Sequence, residues 1–368
     1  MNNKNLKIFF DCGSSKIRAG VFNGDDKEGS FYYESKFFED DSNLEKEIKK
    51  TIGSLEKDTN EYIDSINLML NSPKILSIGI SVSQKLNGSS LKETSIKFLA
   101  QEAKQQILKY YPNYDITHII INNYRIDGID YSYLPDEIKC NFISLDVFFI
   151  CLPSDLVIYF KNIFSKSNIS VDQIICSSYA KSINYKDNLN LTGYTSFIDV
   201  GFNKTSITTY FNNKILSWEG LSIGGNNITK DISKILAIDL KKSEHLKLNF
   251  NQNNIILNDD FSLEILQKII FSRTEEILEL STKSIKSNLL ITSEFNIVLM
   301  GEGSKILDNQ YTNQIDFSKD INFLEETTKD ICQSGFNLMT RLNKQEVIVV
   351  PKKQVKQGFF EKLFHFFR

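Results

Sequence analysis

Residues 195–212 read TSFIDVGFNKTSITTYFN. Phe197 and Ile198 form a short apolar run that ends in Asp199-Val200-Gly201, turn-forming residues follow, and polar and apolar residues then alternate from Thr205 to Tyr210. That pattern predicts strand, tight turn, strand. An Asp at a strand end can hold a hydrated divalent cation, and a glycine beside it lets backbone amides approach a polyanion. Asp-x-Gly is also a common surface turn, so one copy decides nothing.

The chain contains the pattern twice. Lys7 to Gly24 reads KIFFDCGSSKIRAGVFNG. With Asp11 set on Asp199, Gly13 falls on Gly201, Lys16 on Lys204 and Phe22 on Tyr210. Two related hairpins so far apart predict a duplicated α/β fold whose halves face each other across a nucleotide, each offering amides to its phosphates. Two unrelated edge hairpins are the alternative reading.

Composition narrows the classes. At 368 residues the chain exceeds one compact core, so two or more domains are expected. A net charge of -3 and a pI near 5.8 give no global reason to expect nucleic acid. The five cysteines include no CxxC pair and the three histidines lie far apart, so neither a disulfide framework nor a zinc site is expected, and reduced thiols suit a cytoplasmic location. The N-terminus runs straight into a strand pattern, and no stretch of about 18 apolar residues occurs, so any membrane contact is expected to be peripheral.

Apolar spacing from Asn43 to Leu70 predicts a helix or a pair of helices, closed by Pro73. Lys74 to Val82 alternates as a strand, and 82–146 reads as an inserted α+β module suited to protein contact. Val147 to Leu152 is an unbroken apolar run, expected as a doubly buried strand of the first lobe with a parallel crossover to Val171–Cys176. Beyond the second hairpin, Gly224-Gly225 opens a helix and helical patterns dominate 226–291, where Glu244 and Lys247 sit one turn apart as a surface pair would. Phe295 to Met300 then runs into Gly301-Glu302-Gly303-Ser304, a third strand opening on glycines, which suits a floor for a purine.

Together these stretches resemble the actin/Hsp70/sugar-kinase ATPase superfamily: an actin-like (ribonuclease H-like) ATPase fold with two lobes around a nucleotide cleft and an inserted α+β subdomain. The resemblance implies ATP and Mg²⁺ as cofactors. Asp11 and Asp199 would act on the metal through water. The first phosphate loop would be Gly13, Ser14, Ser15 and Lys16, and the second Gly201, Asn203, Lys204 and Thr205. Gly224 and Gly225 would open the linking helix, Glu244 and Lys247 would flank adenine, and Gly301, Gly303 and Ser304 would line adenosine. Gly335 to Leu338 sits where the second connecting helix would be.

Within the superfamily the chain resembles the FtsA family, by the position of the inserted module, by the helix opening Gly224-Gly225-x-x-Ile228-Thr229-x-Asp231-Ile232, and by a terminal amphipathic segment. The implied domains are 1–81 and 147–194 for the first lobe, 82–146 for an SHS2-like subdomain, 195–225 and 292–340 for the second lobe, 226–291 for a helical subdomain, 341–357 for a basic linker and 358–368 for a membrane-targeting helix. The implied role is a polymerising, ATP-binding protein at the inner face of the cell membrane at the division site. Its implied partners are the FtsZ C-terminal peptide, further copies of itself, anionic lipid and other division proteins through the inserted module.

The chain departs from the pattern at Phe202, Ser206 and Glu302, where a glycine, an acidic residue and a glycine are usual. Bulk at Phe202 restricts backbone approach and a carboxylate at Glu302 disfavours phosphate. No residue suggests itself for positioning an attacking water, so at most weak hydrolysis is expected. A pilus-assembly homologue of the PilM type, a small-molecule kinase of the superfamily and a relative that has lost nucleotide remain alternatives.

The last ten residues read FFEKLFHFFR. At 100° per residue, Phe359, Phe360, Leu363, Phe364, Phe366 and Phe367 fall within one arc of roughly 160°, with Glu361, Lys362, His365 and Arg368 on the other side. After a Lys-rich linker this suits an interfacial helix on anionic lipid. A helix so short folds on contact rather than in water, so attachment is expected to depend on many copies acting together.

Overall fold

The structure, a computed structural model, describes residues 6–24, 29–37, 41–91, 93–135, 138–212, 214–250, 263–289, 295–306, 321–340 and 346–347. In chain order the first lobe opens with β1 (Leu6–Cys12), β2 (Lys16–Asn23), β3 (Gly29–Lys36), α1 (Asp41–Thr59) and β4 (Ser65–Leu70). A module follows: β5 (Leu76–Ser90), α2 (Glu93–Tyr110), β6 (Tyr114–Ile126), β7 (Ile129–Tyr131) and β8 (Lys139–Pro153). The chain then runs through α3 (Ser154–Ser165), β9 (Ser170–Cys176) and α4 (Ser177–Leu189). The second lobe holds β10 (Tyr194–Val200), β11 (Thr205–Phe211), β12 (Lys214–Leu221), α5 (Gly225–Leu236), α6 (Leu240–Leu248), α7 (Leu263–Leu289), β13 (Asn296–Met300) and β14 (Ile321–Phe323). Finally come α8 (Thr328–Thr340) and β15 (Glu346–Val347).

The duplication is explicit in the sheets. One has the order β3-β2-β1-β4-β9 and the other β12-β11-β10-β13-β14. In each, an antiparallel hairpin is followed by a parallel strand beside its first member. The hairpin registers also coincide, Asp11 facing Arg18 and Asp199 facing Ser206. Both turns close with the same bond, from Gly13 N to Lys16 O at 2.9 Å and from Gly201 N to Lys204 O at 2.8 Å.

Both lobe sheets are covered on two faces, which explains their near-continuous apolar strands. In β1, Ile8 and Phe10 pack with Ile48 and Leu55 of α1 and Phe164 of α3, while Phe9 points the other way onto Phe336 and Cys332 of α8. The Phe22 ring stacks on Phe336 at 4.4 Å. In β10, Ile198 and Val200 meet Ile277 and Leu278 of α7, and Phe197 lies in a separate cluster with Tyr179 of α4 and Trp218. Each buried aromatic contributes roughly 2–3 kcal/mol.

Two expectations are corrected here. The helical reading of 43–70 holds for α1, but residues 65–70 form β4 between β1 and β9. Ile66, Leu68, Met69 and Leu70 are buried because a central strand is apolar on both faces, and helical spacing alone could not distinguish that from one stripe. Val147 to Leu152 does not join the first lobe. It is part of β8, antiparallel to β5 and β6 in a third sheet of order β15-β6-β8-β5.

The strand is buried on both faces for another reason. Phe149 and Cys151 pack in the module's own core with α2, while Phe148 and Ile150 face Tyr179 and Trp218 at the junction with the lobes. The module is therefore larger than 82–146, because β5 and β8 begin and end outside those limits. It is bonded to the second lobe as well: Asn122 Nδ2 donates to Ile215 O at 2.7 Å and Ser77 Oγ to Trp218 O at 2.8 Å.

Within the stretch expected as a linker, β15 pairs antiparallel with β6, Glu346 opposite Ile120. Such pairing covers a sheet edge. The terminal segment Phe359 to Arg368 lies outside the described residues. Among the described residues no helix is long and apolar enough to cross a membrane.

Candidate functional site

The two hairpin turns meet at one cavity of about 80 Å³. Asp11, Gly13, Ser14, Ser15 and Lys16 line it from the first lobe, and Asp199, Gly201, Lys204 and Gly301 from the second. A second cavity of about 160 Å³ adjoins it, sharing Ser15, Lys16, Gly201, Phe202 and Glu302, and runs on past Gly225, Glu244, Lys247, Gly303 and Ile306. One end of the cleft thus carries loops and charge, and the other carries glycines with a buried lysine paired to a partly exposed glutamate.

Four of the expected residues line neither cavity. Instead they brace the walls. Thr205 Oγ1 donates to Ile223 O at 2.8 Å, Asn203 Oδ1 accepts from Asn226 Nδ2 at 2.8 Å, and Ser304 Oγ donates to Gly301 O at 2.7 Å. Gly224 is required by packing: a Cβ there would lie 2.6 Å from Gly201 O and 2.7 Å from Phe202 O. Its absence lets α5 dock its first amides on the second turn, Gly225 N on Gly201 O at 3.0 Å and Asn226 N on Phe202 O at 2.7 Å. Gly301 is needed for its backbone, with φ of +91°.

Glu244 and Lys247 are not an exposed surface pair. Lys247 is only 4% exposed, and its Nζ lies 2.6 Å from Glu244, 3.0 Å from Gly225 O and 2.8 Å from Thr229 Oγ1. It also sits over the Phe202 ring at 5.6 Å, so Phe202, which lines both cavities, covers the ammonium. Burial lowers the Lys247 pKa, and Glu244 opposes the shift.

Sequence reading missed the charges that dominate the end of the cleft where the two turns meet. Arg18 Nη1 lies 3.1 Å from Asp11 Oδ2, and Ser177 Oγ donates to Asp11 Oδ1 at 2.7 Å. Lys181 Nζ lies 2.8 Å from Asp199 and 3.0 Å from Glu326, all three side chains being under 10% exposed. Burial works against charge on Arg18 and Lys181, but the surrounding carboxylates outweigh it and hold both pKa values above the ordinary ones. Burial pushes the Glu326 carboxyl up, with Lys181 offsetting part of the rise.

Across the mouth, Lys16 lies 3.1 Å from Glu34 and 3.0 Å from Glu302, tying the first turn to the third glycine-bearing strand end. Burial raises the Glu302 pKa, but Lys16, helped by Lys305 and Arg18, more than reverses this and holds the carboxylate low. Arg18 was legible in principle, since it directly faces Asp11 in the hairpin register. Lys181 and Glu326 come from a helix and a loop far away in sequence, and only the fold brings them together.

The lysine-bearing turns have the chemistry for an anionic ligand. The carboxylates do not have it for a divalent metal. Asp11 and Asp199 are each already bonded to a fixed side-chain cation, and no group of three His, Cys, Asp or Glu among the described residues is placed to share an ion.

Two lobes of matching topology around a shared cleft, joined by α4 and α8, define a protein of the actin-like ATPase fold. The solved PilM–PilN type IV pilus biogenesis complex is similar over 88% of this chain and 89% of that one, at 14% identity and a TM-score of 0.64. The ethanolamine utilization protein EutJ from Carboxydothermus hydrogenoformans is similar over 89% of each chain, at 8% identity and a TM-score of 0.52.

In sequence the resemblance is to FtsA: the model of the family "Cell division protein FtsA" matches residues 196–345. FtsA of Agrobacterium fabrum (strain C58 / ATCC 33970) is 20% identical over 283 residues, 72% of this chain and 63% of that protein. FtsA of Streptococcus pneumoniae serotype 2 is 27% identical over 157 residues, 39% of this chain and 34% of that protein. FtsA of Buchnera aphidicola subsp. Schizaphis graminum is 25% identical over 320 residues, 80% and 72% of the two chains. The chain thus spans under two thirds of the length of the Agrobacterium relative.

Proposed function

We propose that this chain is an FtsA-like actin homologue of the division machinery: a two-lobed scaffold that takes ATP in its cleft, associates with further copies of itself, and ties the FtsZ ring to the inner face of the cell membrane. The observation that carries this is the FtsA family match over residues 196–345, which spans the second phosphate turn, the Gly224-Gly225 helix opening and the helices of 226–291. FtsZ would be held through its C-terminal peptide by that helical subdomain. Lipid would be met by Phe359, Phe360, Leu363, Phe364, Phe366 and Phe367, and the module of β5 to β8 offers a further surface for division proteins.

In this reading the chain's own residues act by positioning. Glycines at 225, 301 and 303 leave room for the nucleoside, the turns at Gly13 to Lys16 and Gly201 to Lys204 face its phosphates, and α4 and α8 join the lobes so that occupancy of the cleft bears on both. Turnover is at most weak, since both cleft aspartates are engaged by cations.

The test is flotation with anionic liposomes together with co-sedimentation on FtsZ filaments, for the full chain and for a chain ending before Phe359. The expectation is that the full chain binds both and the shortened chain binds FtsZ alone. A full chain that binds neither would exclude the reading. The likeness to PilM supports a second reading, a pilus-assembly scaffold, which predicts no retention on FtsZ and no loss of lipid binding on shortening.

A further inference from the structure

We propose that the cleft works without a divalent metal: Arg18 and Lys181, fixed on Asp11 and Asp199, hold the place of the cation, and the phosphates of a bound nucleotide are met by Lys204. This rests on the reading of the cleft as a nucleotide site, and it parts from that reading on Mg²⁺.

The geometry leaves a metal little to bind. Each carboxylate that could hold hydrated Mg²⁺ points an oxygen at a buried side-chain cation, Asp11 at Arg18 (3.1 Å) and Asp199 at Lys181 (2.8 Å). The other Asp11 oxygen accepts from Ser177 at 2.7 Å. Lys181 is anchored a second time by Glu326, whose carboxylate also accepts from Gly301 N at 2.8 Å and from Tyr185 Oη at 3.0 Å. A hydrated divalent ion would have to compete with cations held by two or three ion pairs each. Separating a buried pair leaves uncompensated charge, which costs several kcal/mol.

Lys204 differs from these. It lines the same cavity from the tip of the second turn, yet its ammonium donates to the Asn71 carbonyl rather than to a carboxylate. A lysine beside a loop of backbone amides, with a neutral partner, is free to receive an anion. The charged lining is even only with Lys204 counted: Lys16, Arg18 and Lys181 stand against Asp11, Asp199, Glu302 and Glu326, and Lys204 is the fourth cation. Such a pocket offers a phosphate one cation that is not held by a carboxylate, where an aspartate-only pocket would need a metal to offer any.

The experiment is calorimetric titration of ATP into the full chain in EDTA and in Mg²⁺, repeated with Lys204→Met after its fold has been checked by circular dichroism. The expected result is binding in EDTA at least as tight as in Mg²⁺, and a loss of about tenfold or more in Lys204→Met. Tighter binding in Mg²⁺ overturns the proposal while leaving the nucleotide reading intact, and unchanged affinity in Lys204→Met overturns the role of that side chain. No binding under either condition overturns the nucleotide reading, and this proposal with it.

Discussion

Lys181→Met tests the buried charge cluster. Lys181 lies on α4, Asp199 at the end of β10 and Glu326 just before α8, so the three side chains join elements of both lobes. Methionine matches the length of lysine but leaves two carboxylates, each under 10% exposed, without their shared cation. Removing one partner of a buried ion pair costs about 3–5 kcal/mol, and two stranded carboxylates place this case at the upper end. The penalty also carries a pH signature.

Burial already raises the Glu326 pKa and Lys181 counteracts it, so without Lys181 the carboxyl titrates higher still. A carboxyl with a raised folded pKa binds protons more readily in the folded state, so its cost is fully present at higher pH and disappears as the pH falls through that pKa. Urea unfolding followed by circular dichroism is expected to show the largest difference from the parent near neutrality and a smaller one near about pH 5. A cost below about 1 kcal/mol, or one that does not change between the two conditions, would refute the account of Lys181 as the cluster's keystone.

Gly224→Ala is expected to cost about 2–4 kcal/mol, by driving a methyl into the backbone of the second turn and loosening two amide bonds from α5; a thermal scan reads it. Gly53→Ala is the control. Gly53 lies within α1, where an added Cβ meets nothing within 4 Å, so the gain should be about 0.5–1 kcal/mol by the same scan. Lys204 has its pKa lowered to about 8 by burial, against the pull of Asp11 and Asp199. Because the unfolded chain binds that proton more tightly, stability should rise with pH from about 8 toward the ordinary lysine value, and Lys204→Met should abolish the rise, read by unfolding midpoints against pH. For the same reason ATP affinity in EDTA should fall as the pH passes about 8.

The sequence by itself determined the duplication. A turn repeated with the same residue spacing carries its register with it, because pairing across a hairpin is local, and Asp11 opposite Arg18 and Asp199 opposite Ser206 follow from spacing alone. It likewise placed the glycines at 224, 225, 301 and 303, since a missing Cβ beside an apolar strand or helix start is visible in one dimension. Tertiary structure decided what lay between distant elements: that 65–70 is a central strand, that β8 serves the module, and that Lys247 is buried against Glu244. Above all it decided the charge of the cleft. Lys181, Asp199 and Glu326 reach one another only when α4, β10 and the segment before α8 converge, and an ion pair depends on a distance of a few ångströms that sequence separation does not encode.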